Sequence, residues 1–239
     1  LTAMDNDGII VGDRDVYKRL TGQINADYKI KPWLQITTNN SIEKWSTQSV
    51  SQHSDNGSAM LAAITSSPLE PVRVDYDGLT LDMQQYLNNG TRVLTDPETG
   101  LYWSLSRLGE TQGGNPFIRR DATDATRGGL NIRGTLAANL TPIKGLKWTP
   151  SISGYSIYDK TIKKLTENNT DRGYKDGWAA LSEQKDHSFR YLIDNVISYN
   201  NEWDRLMYSA MVGHSFEKYE YETFGAKSDN YANEAFPSS

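Results

Sequence analysis

Apolar and polar residues alternate along three separate stretches of this chain, and each stretch reads as a pair of long strands. The first pair is Val16–Tyr28 and Leu34–Trp45, the second Gly128–Leu140 and Leu146–Tyr158, the third Ser188–Tyr199 and Arg205–Phe216. Period-two alternation marks a strand with one apolar and one polar face. It is cleanest in the third run, where Leu130, Ile132, Leu136, Ala138 and Leu140 oppose Asn131, Arg133, Thr135 and Asn139. The fifth run sets Phe189, Tyr191, Ile193, Ile197 and Tyr199 against Ser188, Arg190, Asp194 and Ser198. The second and fourth are ragged, with Thr38 and Asn40 in one and Pro150 in the other. A proline inside a strand removes a ladder hydrogen bond, which places it at an edge or a bulge.

The connections are of two sizes. Within each pair a handful of residues make the turn: Lys29–Trp33, Thr141–Gly145 and Asn200–Asp204. Between pairs lie long polar loops, about 46–127 and 159–187. Short turns on one rim and long loops on the other are the construction of a transmembrane β-barrel. The runs are about 12–13 residues, against about 5–6 for a typical globular strand and about 9–11 for a tilted transmembrane strand. Aromatics gather at the short-turn end. Tyr28, Trp33, Trp148, Tyr199 and Trp203 stand there, as rings with an apolar body and a polar tip do at a membrane interface. The expected fold is all-β: an antiparallel up-and-down barrel segment of about six strands spanning residues 1–239.

Composition narrows the function. The 239 residues carry a net charge of −5 and no cysteine. That balance, with no basic block, argues against a nucleic-acid partner, and the cysteine count leaves neither a disulfide framework nor a thiolate metal site. The mean hydropathy of −0.64 excludes a bundle of apolar membrane helices but not a barrel, whose strands turn only alternate residues to lipid. Asp5-Asn6-Asp7-Gly8 and Asp75-Tyr76-Asp77-Gly78 look superficially like calcium loops. Counted back from the glycine, ligand position 12 falls on Arg14 or Gln84, so both read as ordinary turns. His53, His187 and His214 have no ligand spacing, and no catalytic constellation stands out. The chain therefore reads as a non-enzyme with no cofactor.

In the first long loop, Ser58–Thr65 reads as a short helix stopped by Ser66-Ser67-Pro68. The loop aromatics Tyr102, Trp103 and Trp178 offer ring faces on which sugars stack; the competing reading is that they pin their loops to neighbouring residues.

The order of motifs carries a resemblance. Tyr17-Lys18-Arg19-Leu20-Thr21-Gly22-Gln23-Ile24-Asn25-Ala26-Asp27-Tyr28 and its continuation Ile30–Asn39 resemble the first barrel strands of SusC/RagA-like TonB-dependent transporters. Ser67-Pro68-Leu69-Glu70-Pro71-Val72, Gly114-Asn115-Pro116-Phe117 and Ala210–Glu217, with its Gly-x-Ser-x-Glu pattern, are similar to later elements of that family in the same order. The resemblance implies a 22-stranded barrel in a bacterial outer membrane of the Bacteroidetes type. It also implies a SusD-like surface lipoprotein as partner, energy passed through TonB, and import of oligosaccharides or peptides. Six strands do not close such a barrel, so this chain reads as a central segment whose remaining partners are lipid and the other strands. A soluble or surface-attached all-β glycan-binding module is the alternative.

Overall fold

The computed structural model describes residues 1–10, 12, 14–50, 59–90, 93–104, 115–166, 179–203 and 205–229, without the side chains of Arg119 and Trp203. Seven strands form one antiparallel sheet: β1 (Thr2–Asp7), β2 (Val16–Lys31), β3 (Leu34–Ser49), β6 (Thr123–Ile143), β7 (Leu146–Leu165), β8 (Ala180–Trp203) and β9 (Leu206–Asp229). Each pairs with the next in that order, an up-and-down meander with β1 and β9 at open edges. Between β3 and β6 the chain folds into a small unit of α1 (Ala59–Thr65), β4 (Arg73–Val74), α2 (Leu81–Asn88), β5 (Tyr102–Trp103) and α3 (Pro116–Ala122).

The six expected strands are present, and each runs further than its alternation indicates. β6 and β7 have 21 and 20 residues and β8 and β9 have 24 each. At about 3.3 Å per residue they reach about 65–80 Å, more than twice the roughly 30 Å of a bilayer core. Most of the extra residues lie at the loop end, where Lys160, Lys163 and Lys164 occupy β7 and Lys218, Glu220 and Glu222 occupy β9, while Thr141–Ile143 and Asn200–Trp203, expected as turn, extend β6 and β8 at the other end. Backbone pairing continues there while both faces are wet, so the apolar–polar alternation stops before the strand does.

A seventh strand was not legible in the sequence. Asp5 and Asp7, read above as part of a turn, belong to β1 and pair with Lys18 and Val16; the turn follows at Gly8, whose N–H bonds to the Asp15 carbonyl at 2.5 Å. The second Asp-rich site is a turn as expected, closed by the Gly78 N–H on the Asp75 carbonyl at 3.1 Å and on its carboxylate at 2.9 Å.

Pro150 sits in an internal strand rather than at an edge, and the ladder breaks locally around it. The β6–β7 partners jump from Ala137↔Ser151 to Leu140↔Trp148, while pairing to β8 runs through Pro150↔Asn195 without a gap. The missing N–H therefore disturbs one neighbour only.

The register shows how the sheet lies. Leu34 at the start of β3 is level with Leu140, hence with Trp148, Ile197 and Val212, whereas β9 begins at Leu206, six residues lower. Six residues of about 3.3 Å set against four interstrand spacings of about 4.8 Å make the short turns descend across the sheet at about 45°. If the turns share one rim, the strands are tilted by about that angle, as in membrane-spanning barrels.

The tight turns are two residues long, as at Pro32-Trp33 and Lys144-Gly145. Gly145 has φ +85°, and a Cβ there would stand 2.3 Å from the Asn200 carbonyl oxygen, so this turn requires glycine twice over.

Candidate functional site: two faces of a sheet and a folded loop

Cross-strand partners project to the same face, so the register sorts every side chain. One face carries Ile24, Tyr28, Ile36, Ile132, Leu136, Trp148, Ile152, Ile193, Ile197, Val212 and Phe216, drawn from all six long strands. In a water-soluble protein such a face would be covered by a second layer. Here Ile24 is 71%, Leu136 50% and Val212 66% exposed, and no second sheet packs on it among the described residues. Buried apolar residues concentrate in the small unit instead, where Leu79, Met83, Val93, Leu94, Trp103, Ile118 and Ala122 form a core.

The opposite face is polar and its side chains bond to each other across strands. Glu43 on β3 accepts from Asn131 on β6 at 2.9 Å and from the Thr21 hydroxyl on β2 at 3.4 Å. Arg127 stacks over Trp45 at 5.3 Å and donates to Asp159 at 3.0 Å. Arg133 lies 4.4 Å over the ring of Tyr155 and donates to its hydroxyl. Arg190 holds Glu217 with two bonds of 2.8 Å, a bidentate fork, and Ser215 donates to Asp194. Cations, carboxylates, amides and hydroxyls thus line a surface from β2 to β9. Arg133, Thr135, Ser153, Tyr155, Arg190 and Leu192 border an open hollow of about 380 Å³ on it.

This division matches the sequence reading of β6 residue by residue. Leu130, Ile132, Leu136 and Leu140 share the apolar face, and Asn131, Arg133, Thr135 and Asn139 the polar one. Of the turn-end aromatics, Tyr28, Trp148 and Tyr199 project on the apolar face near the short turns, and Trp33 occupies a turn, 41% exposed. Tyr199 meets Tyr208 at 6.0 Å. The side chain of Trp203 lies outside the described residues.

The loop aromatics part company. Trp103 is 1% exposed. Its ring is stacked on Phe117 at 4.6 Å with Arg73 5.0 Å away, and its indole N–H donates to Asp121 at 3.0 Å. With its faces occupied, Trp103 pins the loop, which is the second of the two readings given above. Tyr102 is partly buried and packs against the same core. Trp178 lies outside the described residues.

The sequence offered no sign of what braces this loop. Asn115 caps α3 by accepting from the Phe117 N–H at 2.9 Å, and its amide donates to the carbonyls of Val72 and Ser104. Asp96, 3% exposed, takes Arg73, the Thr99 hydroxyl and the Glu98 N–H. Burial pushes its carboxyl up, but those three donors outweigh burial and hold it below the ordinary aspartate range.

Three solved structures share the arrangement. The chain matches the RagAB peptide importer in its closed-closed state with a TM-score of 0.65 at 17% identity. It matches the same importer in its open-open state with 0.64 at 19%, and a further structure of the RagAB peptide transporter with 0.57 at 19%. What is shared with those chains is the fold, an up-and-down antiparallel sheet of long strands. In each case the match takes in 92% of this chain and 22% of the other, so this chain spans about a fifth of the length of the chains it resembles. At such identities the likeness is one of fold. No family model and no curated protein matches the sequence.

Proposed function

We propose that this chain is a stretch of the wall of an outer-membrane nutrient importer. The carrying observation is the uncovered apolar face backed by a polar, internally bonded face, on strands whose short turns step down across the sheet at about 45°. Lipid covers the first and the transport lumen lies against the second. Under this reading the remaining barrel strands continue from β1 and β9, whose edges are open. A SusD-like surface lipoprotein caps the assembly, and TonB acts through parts of the parent protein outside this chain. The solved relatives are peptide importers, and the mixed charges of the lumenal face suit peptides or oligosaccharides as cargo. Tyr28, Trp33, Trp148, Tyr199 and Trp203 sit at the headgroups near the short-turn rim. Tyr102 and Trp178 are the loop aromatics offered to cargo, and Trp103 holds the setting of Tyr102. The glycan-binding-module alternative lacks a covering layer for the apolar face, and the reading here does not call for catalysis.

The test places arginine on either face of one strand in the full-length parent protein. Leu136→Arg puts a guanidinium into lipid and should cost about 2–4 kcal/mol near the midplane, lowering folded barrel in the outer-membrane fraction. Thr135→Arg points to the lumen and should leave that fraction near wild type. Equal losses from both variants would overturn the assignment of faces.

A further inference from the structure

Among the described residues, four arginines stand on the polar face: Arg19 on β2, Arg127 and Arg133 on β6 and Arg190 on β8. Three of them face a carboxylate. Arg19 lies 3.9 Å from Glu43, Arg127 3.0 Å from Asp159 and Arg190 2.8 Å from Glu217. Arg133 has no carboxylate at ion-pair distance among the described residues. What holds it is Tyr155, directly opposite on β7. Its guanidinium lies 4.4 Å over that ring, and Nη2 donates to the phenol oxygen at 3.0 Å. One flat side and one N–H are used in this way. The remaining N–H donors of the fork have no acceptor among the described residues, and the side chain is exposed.

The hollow beside Arg133 is lined with further donors. Arg133, Thr135, Ser153, Tyr155 and Arg190 all border its volume of about 380 Å³. The Thr135 and Ser153 hydroxyls are 3.1 Å apart and bonded to each other, so the pair keeps one proton for a third oxygen. Arg190 is level with Arg133 across Tyr155, its own fork taken by Glu217. Glu43, diagonal to Arg133 in the register, is engaged by Asn131, Thr21 and Arg19. Asp186 and Asp194 lie further along β8 on either side of Arg190, about 13 Å away, and take hydroxyl donors from β9. At the hollow itself, two guanidiniums against Glu217 leave one positive charge. A carboxylate matches that charge and offers two oxygens to the parallel N–H bonds of a single guanidinium. A neutral hydroxyl or amide brings no charge, and a phosphate dianion brings more than the hollow balances.

We propose that Arg133, presented by Tyr155 and flanked by the Thr135 and Ser153 hydroxyls, is a subsite for a carboxylate group of the cargo. The proposal rests on the reading of the polar face as lumenal, and it narrows the cargo to acidic molecules: peptides, held by a carboxylate, or oligosaccharides containing a uronic acid. Arg133 is the central residue of β6, so the subsite belongs to the wall of the passage rather than to either mouth. Tyr155 is a positioning residue, since its ring and phenol fix the plane in which the guanidinium meets the carboxylate.

The experiment places the full-length parent protein in nanodiscs and measures retained ligand by native mass spectrometry. The probes are N-acetyl-tetraalanine against its C-terminal amide, and trigalacturonate against maltotriose. Wild type should retain at least one acidic probe about three- to tenfold above its neutral counterpart. The pair that shows the preference identifies the source of the carboxylate, peptide or sugar. Arg133→Gln should bring the ratio to near parity and leave retention of the neutral probe unchanged. Tyr155→Phe keeps the ring and removes the phenol, and should lower the preference about two- to threefold. Should Arg133→Gln fail to fold, Tyr155→Phe carries the test, and an unchanged preference overturns the proposal. A folded Arg133→Gln variant that keeps the preference, as when another part of the parent engages Arg133, overturns it as well. So does inserted wild type that retains acidic and neutral probes alike, or none of them. Those outcomes sink the subsite alone, whereas protein that does not insert at all sinks the wall reading with it.

Discussion

At the residue scale, the tightest demand on the polar face falls on Gly129. Trp45 and Asp159 converge over it from β3 and β7, and a Cβ there would lie 2.4 Å from the Asp159 carboxylate and 2.8 Å from both the Trp45 indole nitrogen and the Tyr158 carbonyl oxygen. The side chains can shift but the carbonyl belongs to a paired strand. Gly129→Ala should therefore destabilise the parent barrel by about 1–3 kcal/mol, whereas Gly154→Ala, where a Cβ meets nothing within 4 Å, should be tolerated. Chemical unfolding of both variants in detergent checks this, and equal midpoints would count against the packing described. Asp96 makes a second prediction. Its carboxyl titrates below the ordinary aspartate value, so its stabilisation of the loop is complete above about pH 4 and fades as pH falls through the lowered value. Loop melting followed by near-ultraviolet circular dichroism should hold level from pH 7 to about pH 4 and then drop. Asp96→Asn should remove that acid limb; its survival would assign the limb to another group.

At the scale of elements, the hairpins alternate tight turns with long connections, and that asymmetry orients the molecule. Under the proposed membrane-wall reading, the turns at Pro32-Trp33 and Lys144-Gly145 face the periplasm, and the unit built from α1, β4, α2, β5 and α3 faces the cell exterior. A cysteine at Glu98, an exposed position beside the buried Asp96, should react with a membrane-impermeant thiol reagent on intact cells expressing the parent protein. One at Lys144 should react only after the outer membrane is breached. The opposite pattern would invert the topology. The same unit shows why a long connection can stay ordered: its helices and two-residue strands close on Trp103 and Met83, both essentially without solvent contact. The loop carries its own core, so it does not need the sheet to cover it.

At the scale of the whole molecule, stability is not self-contained. Most residues of the apolar band remain 37–71% exposed, and β1 and β9 end in edges that are unpaired among the described residues. Burial worth about 25 cal/mol per Å² is realised only when lipid covers the band, while ordering the backbone costs roughly 1–2 kcal/mol per residue. The isolated chain should accordingly be aggregated or unfolded in plain buffer and acquire strand structure only with detergent or the remaining strands. A monodisperse 26.9 kDa monomer with cooperative unfolding in plain buffer would contradict the membrane-wall reading.

What the sequence determined by itself was the part governed by local periodicity. Alternation in Leu130–Leu140 and Phe189–Tyr199 assigned strands and faces, because neighbouring side chains of a strand must point to opposite sides. The turn residues between the runs marked the hairpins for the same local reason. Tertiary structure decided the rest. The length of β8 and β9 follows from partners across the sheet, since a strand wet on both faces keeps its ladder without keeping its pattern. β1 exists because Val16–Thr21 offers an edge to Thr2–Asp7, and its own polar sequence does not announce it. The fate of Trp103 depended on Phe117, Arg73 and Asp121, between 14 and 30 residues away in the chain. Whether an aromatic ring faces a ligand or a core is set by what folds over it, and no spacing along the chain records that.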